Sequence, residues 1–224
     1  MEVKENGVTA ELKSGKILEA ETMLVAVGRR AYTDKLGLEN VGIKTDKKGR
    51  VIVNEYLETN IEGIYAVGDL IPSPALAHVA SREGVVAVYN ALLDKRKKMS
   101  YKAVPSCIFV EPEIASVGIK ESEAKKRGMD YKVGKFDFRS LGKAQAMGKF
   151  QGFVKVITDE KDVIVGAAIV GERATDMIGE LAVACELGLT AEQVGEVIHP
   201  HPTLSEGIME ALHDVHGQCI NAIK

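Results

Sequence analysis

Eight consecutive residues, His199-Pro200-His201-Pro202-Thr203-Leu204-Ser205-Glu206, hold the densest chemistry in the sequence. Each proline pushes the histidine before it toward an extended backbone. His201 then has two readings. In the first, His201 stands on a stiff extended segment beside the carboxylate of Glu206, which orients the imidazole and favours its protonated form. Histidine, with an unperturbed pKa of about 6.5, is then suited to take a proton from a thiol. In the second, both histidines belong to an ordinary loop, and Thr203 to Glu206 is a capping box closing the start of a helix. Spacing alone does not choose between them.

A second candidate is Gly63-Ile64-Tyr65-Ala66-Val67-Gly68-Asp69. Its apolar run reads as a buried strand that delivers a carboxylate, Asp69, to its carboxyl end. In open α/β sheets ligands bind at that edge, and the glycine lets another group approach closely. The carboxylate there can accept hydrogen bonds from sugar hydroxyls. The plainer alternative is a Gly-Asp turn after a strand. The three cysteines, Cys107, Cys185 and Cys219, form no close pair. That excludes a disulfide scaffold or a cysteine zinc site and reads as three reduced, mostly buried small hydrophobes.

These residues need a scaffold, and the 224-residue chain is long enough for one large domain or two modest ones. With 46% hydrophobic and 5% aromatic residues, its core is expected to be aliphatic. A net charge of -3 excludes the basic surface of a nucleic-acid binder. No apolar run is long enough to span a bilayer, and the first six residues lack a signal peptide's apolar stretch, so a cytoplasmic protein is expected. A β-meander opens the chain over 8–20. Met23–Val27, Val51–Val53 and Ile64–Val67 read as short strands, the first and last buried as in a parallel sheet. Residues 76–93 read as a helix whose apolar face holds Leu76, Val79, Ala80, Val86, Val88, Leu92 and Leu93. The charge run Asp94-Lys95-Arg96-Lys97-Lys98 reads as a solvated linker and a domain boundary. Beyond it, Cys107–Val117, Tyr131–Phe138, Phe153–Thr158 and Val163–Val170 suggest an antiparallel sheet, with a short helix over Glu121–Arg127. Helices over 174–187, 191–198 and 204–215 come next, the first stopped by Gly188.

Taken in order, these landmarks resemble the pyridine nucleotide-disulfide oxidoreductase family along essentially the whole chain. They are Val25–Arg30, Gly63–Asp69, Leu76-Ala77-His78, Val104-Pro105-Ser106, Glu111–Gly118, Tyr131–Gly134 and His199–Glu206. Within the family, His-Pro-Thr-Leu-Ser-Glu preceded by another histidine is similar to the dihydrolipoamide dehydrogenase branch. The resemblance implies an α/β partial FAD/NAD(P)-binding domain followed by an α+β interface domain with an antiparallel sheet. It divides the chain into 1–24, a remnant of the NAD-binding domain, 25–98, the last part of the FAD-binding domain, and 101–224, the interface domain. It implies that His201 is the acid-base residue and Glu206 its partner. Asp69 is expected on the ribityl chain of FAD, Ala75, Leu76, Ala77 and His78 beside the flavin, and Gly28 against NAD. A homodimer and a lipoamide-bearing component of a 2-oxo acid dehydrogenase complex are the implied partners, with no metal, nucleic acid or membrane span.

The sequence departs from that family by absence. No Gly-x-Gly-x-x-Gly turn occurs, and no Cys-x4-Cys redox pair. The expectation is therefore a C-terminal portion of such an enzyme, inactive alone, with open apolar strand edges in 1–98 and a dimeric region after residue 100. Two alternatives stand beside it: a related flavoprotein reductase with another disulfide substrate, and a non-catalytic dimerisation module.

Overall fold

A computed structural model describes residues 2–4, 7–93 and 96–222, and the chain divides into two compact units, Met1–Met99 and Ser100–Lys224. Asp94 and Lys95 of the charge run, and Met1, Glu5 and Asn6 of the opening residues, lie outside the described residues.

The first unit begins with the expected meander, three antiparallel strands β1 (Glu2–Lys4), β2 (Gly7–Glu11) and β3 (Ile17–Ala20). The run Met23–Val27 forms no strand: Leu24 and Val27 are 88% and 93% exposed. A strand buried on both faces needs ladder partners for its amides, and no described segment pairs with this one. The other two expected strands are also reduced, to isolated bridges of Thr45 with Val51 and Glu58 with Tyr65. Their amides bond other irregular segments instead, as in Ala66 N–H to Leu57 O at 3.1 Å and Val51 N–H to Leu70 O at 2.8 Å. A small core of Val51, Leu57, Ile71, Val86 and Ala87 holds this web together.

Helix α1 spans Ala77–Leu92. Its buried face is Val79, Glu83, Val86 and Ala87, an i, i+4, i+7, i+8 set. Val88 and Leu92, expected on that face, are exposed because they fall on the far side of the helix from it, and Leu93 is exposed because it lies past the helix end with extended backbone. The described part of the basic run, Arg96–Lys98, is exposed and lies just before the division between the units, and it also makes surface contacts. The Arg96 guanidinium lies 4.4 Å from the Tyr56 ring centre, Lys98 pairs with Glu55 at 3.0 Å, and Asn90 bonds both the amide and the carbonyl of Lys97.

The second unit is a five-stranded antiparallel sheet in the order β4-β5-β8-β7-β6. Its strands are β4 (Ser106–Ile108), β5 (Ile114–Gly118), β6 (Tyr131–Asp137), β7 (Phe153–Asp159) and β8 (Ile164–Val170). The single strand expected over Cys107–Val117 is two, separated around Pro112, which has no amide to donate to a ladder. Two short helices, α2 (Glu121–Lys126) and α3 (Gly142–Met147), lie in the connections, the second not anticipated.

Helix α4 (Ala174–Leu187) packs on β5 and β8 and ends at Gly188, which takes the left-handed conformation expected of a helix stop. Helix α5 (Ala191–Gly195) is shorter than expected, and α6 (Glu206–Asp214) packs on β6 and β7. Gly134 of β6 makes that approach possible, since a Cβ there would stand 2.0 Å from the carbonyl oxygen of Ala211 in α6. The interior is aliphatic with two rings: Phe136, Phe138, Ile164, Ile169, Leu181, Ile208 and Leu212 are among its fully buried residues.

Candidate active site

The stretch between α5 and α6 carries both histidines, and its shape is set by local bonding. Helix α6 starts at Glu206, two residues later than expected, and the capping box is only half made. Glu206 Oε2 accepts the Thr203 N–H at 2.9 Å, but the Thr203 hydroxyl turns away to donate to Pro200 O at 2.6 Å. A complete capping box occurs instead at α5, where Thr190 and Gln193 bond each other's backbone amides at 3.1 and 3.0 Å.

The other oxygen of Glu206 meets His201, with Nδ1 to Oε1 at 2.8 Å. An ionised carboxylate only accepts, so Nδ1 carries the proton and the lone pair of a neutral ring sits on Nε2. Nε2 has no hydrogen-bond partner among the described residues, and the His201 side chain is 76% exposed. Both sequence readings are thus partly realised in one carboxylate: it supports a helix start through Oε2 and orients an imidazole through Oε1. Glu206, at the first position of α6, also places its charge where the helix dipole favours it.

His199 is placed differently. Its side chain is 5% exposed, with Nδ1 2.7 Å from Val197 O and Nε2 2.9 Å from Glu180 Oε1 on α4. Sequence reasoning missed Glu180, which lies 19 residues before the histidine with no local spacing to flag it.

The candidate flavin and nicotinamide contacts all lie in the first unit. Asp69 follows a buried Gly68 with φ +71°, and its Oδ2 accepts from Arg29 at 2.9 Å. That ion pair links the Arg29 side chain to Asp69, an association the sequence did not signal. Gly28 is exposed, with open space where a Cβ would be. The Gly68 amide donates to the fully buried carboxylate of Glu83 on α1 at 2.6 Å. Ala75, Ala77 and His78 are exposed and Leu76 half-buried at the start of α1, which no side chain caps. Asp69 Oδ1 has no hydrogen-bond partner among the described residues. These features fit one end of a flavin: an acceptor for sugar hydroxyls and a helix N-terminus that favours negative charge. They do not include a glycine-rich cradle for a pyrophosphate, which the sequence lacks.

The cysteines are all free. Burial pushes the Cys185 thiol up to about 11, and burial together with a hydrogen bond to Glu210 does the same for Cys219. Cys107 is also raised, by burial first and then by Glu113 and Asp176. Thiols held protonated in this way are poor nucleophiles. No group of three or more acidic, histidine or cysteine side chains able to hold a metal occurs among the described residues.

Two domain models of one family match the sequence, "Pyridine nucleotide-disulphide oxidoreductase" over residues 1–84 and "Pyridine nucleotide-disulphide oxidoreductase, dimerisation domain" over 104–212. The chain belongs to this oxidoreductase family. It is 43% identical to the dihydrolipoyl dehydrogenase of Geobacillus stearothermophilus over 99% of its length and 48% of that protein's. It is 42% identical to the mitochondrial dihydrolipoyl dehydrogenase of Caenorhabditis elegans, again across the chain but 47% of the relative. Among solved structures, LpdA from Mycobacterium tuberculosis matches with a TM-score of 0.88 at 29% identity, over 94% of this chain and 46% of that one. The HOCl-induced flavoprotein disulfide reductase RclA from Escherichia coli matches with a TM-score of 0.84 at 25% identity, over 93% and 48%. The chain thus spans about half the length of the curated relatives it matches. Family membership agrees with the expected fold class, a partial dinucleotide-binding domain followed by an α+β dimerisation domain. No described helix is long and apolar enough to cross a membrane.

Proposed function

We propose that this chain supplies the acid-base residue and part of the flavin site of a dihydrolipoamide dehydrogenase. The observation that carries the reading is the His201–Glu206 pair, with Nδ1 engaged at 2.8 Å and Nε2 directed to no protein group among the described residues. Nε2 takes the proton from one thiol of dihydrolipoamide, and Glu206 steadies the ring that receives it. The resulting thiolate attacks a disulfide, releasing one sulfur as thiolate and leaving a mixed disulfide that the second substrate thiol resolves. The three cysteines of this chain are protonated and unpaired, so the attacked disulfide belongs to the rest of the enzyme.

Bound FAD supplies the two-electron chemistry that links a dithiol to NAD. For that cofactor Asp69 is the residue to accept from the ribityl hydroxyls, and Ala75, Leu76, Ala77 and His78 line the uncapped start of α1. Gly28 leaves room for NAD to approach. A homodimer forms through the second unit, where Val183, Leu187, Val197 and Ile198 expose apolar side chains on and just after α4 and α5. The lipoamide-bearing component of a 2-oxo acid dehydrogenase complex is the partner, and the cytoplasm, which keeps its thiols reduced, is the compartment.

In the full-length enzyme, His201→Gln is expected to lower dihydrolipoamide oxidation by about 100-fold, the lower range for loss of a general base. Unchanged turnover refutes the assignment. The likeness to RclA favours a second reading, reduction of a different disulfide. Turnover that depends on His201 with another disulfide but not with lipoamide selects it. A stable dimer of this chain that ignores added FAD, with no His201-dependent turnover in the full-length enzyme, selects the dimerisation module.

A further inference from the structure

The motif contains a histidine that this reaction does not use. His199 is buried in a segment whose other side chains lie largely in the open, and both its ring nitrogens face oxygen acceptors, Val197 O at 2.7 Å and Glu180 Oε1 at 2.9 Å. Glu180 sits on α4, which is fixed in the unit's core through Ile178, Leu181 and Ala184. Packing does little to hold the segment itself. Clefts of about 630 and 440 Å³ open on either side of it, and Glu180 and Ser205 line both. The segment is held by polar links in series. Glu180 holds His199, Thr203 Oγ1 holds the carbonyl of Pro200, Glu206 Oε2 holds the Thr203 amide, and Glu206 Oε1 holds His201. Pro200 and Pro202 fix φ on both sides of His201, so little torsional slack separates one histidine from the other.

We propose that Glu180 and His199 form a positioning pair that clamps the segment to α4 and thereby sets the ring of His201 against Glu206. The proposal rests on His201 being the base, since its purpose is to hold that imidazole in the tautomer that leaves Nε2 free. Without the clamp, residues 197–202 are left to the Thr203–Pro200 and His201–Glu206 bonds, and the second of these competes with solvent on a ring that is mostly exposed.

The test is made on the 224-residue chain labelled with ¹⁵N-histidine, reading ring-nitrogen shifts by long-range ¹H–¹⁵N correlation at one pH where the rings are neutral. Glu180→Ala is expected to reduce the ratio of Nδ1–H to Nε2–H tautomer at His201 about fivefold, the factor that goes with one ordinary hydrogen bond. Glu180→Gln keeps a hydrogen-bonding group opposite His199 Nε2, its amide oxygen accepting or its NH2 donating as the ring requires, and is expected to restore most of that ratio. His213 and His216, elsewhere in the same unit, are expected to keep their wild-type signals in both variants and so report that the fold is intact. Glu206→Ala separates the two ideas. If Glu206→Ala shifts the His201 ratio and Glu180→Ala does not, the dyad stands and the clamp is overturned. If neither moves it, the His201–Glu206 reading falls as well. A Glu180→Ala effect that Glu180→Gln fails to rescue also overturns the clamp.

Discussion

Gly134 lies in β6 directly beneath α6, and replacing it with alanine tests whether that contact sets the position of the helix. The added Cβ would stand 2.0 Å from Ala211 O and 2.7 Å from both Val215 N and Val215 Cγ2. Ordinary contact begins near 3.4 Å, so the helix must retreat by about 1.4 Å or the strand must yield. Neither is cheap, because two of the three atoms are backbone and β6 is laddered to β7 from Tyr131 to Asp137. A retreat would also loosen Ile208, Ala211 and Leu212, all buried on that helix. Overpacking of a dense interior costs about 1–3 kcal/mol, and backbone clashes place this case near the upper end. With a urea m-value of about 2–3 kcal/mol/M, the unfolding midpoint is expected to fall by roughly 1 M. The assay is urea unfolding followed by far-UV circular dichroism, with Gly142→Ala as the control. Gly142 opens α3 with empty space at its Cβ, so its alanine should be neutral or stabilising by up to about 1 kcal/mol. A Gly134→Ala midpoint within about 0.2 M of wild type would refute the steric argument.

Three further outcomes are expected. Hydrogen bonds from Lys155 and then Lys125 hold the Glu121 carboxyl down at about 2, from an ordinary 4.5. Its folded-state value is depressed, so its stabilisation is complete above pH about 4.5 and is lost as pH falls toward 2. Thermal melts of Glu121→Gln should therefore depend less on pH across that window, and an unchanged slope counts against the pairing. The buried Glu210 carboxylate accepts from Cys219 at 2.9 Å and from the Asn221 side chain at 2.5 Å. Glu210→Gln removes the charge that helps keep Cys219 protonated, so labelling by an aromatic disulfide at pH 8 should speed up several-fold; an equal rate would leave burial as the whole cause. Thr190→Ala breaks the capping box of α5 and should cost about 1 kcal/mol in the same urea assay.

The second unit was the more legible of the two. Its strands alternate buried and open positions, as in Tyr131–Asp137, and its helices carry periodic apolar residues, so local pattern and tertiary environment agree. The bounds 174–187 of α4 could be read because Gly188 punctuates them. In the first unit the same logic misled. Met23–Val27 has the composition of a buried strand, but composition reports what a segment needs and not whether a neighbour is there to provide it. Val88 and Leu92 failed for a related reason: a face was drawn through every apolar residue, and it took the buried carboxylate of Glu83 to show which arc of α1 turns inward. At the site, the contact of His201 with Glu206, five positions on, was one of two readings that spacing left open, and the family resemblance rather than the spacing suggested its role. Glu180 and Arg29 were not found, since their partners lie 19 and 40 residues away and only the fold brings them close.

The double use of Glu206 constrains how this segment can vary over time. Its carboxylate is aimed by its rank as the first residue of α6. Each residue added to or removed from a helix start turns the remaining helical positions by about 100° and moves them about 1.5 Å. Substitutions at positions such as Leu204 change volume and leave that bearing intact. A single insertion or deletion between His201 and Glu206 would swing the carboxylate off the imidazole while leaving every residue type in place. Lineages that keep the chemistry should therefore accumulate replacements in this stretch and almost no changes in its length.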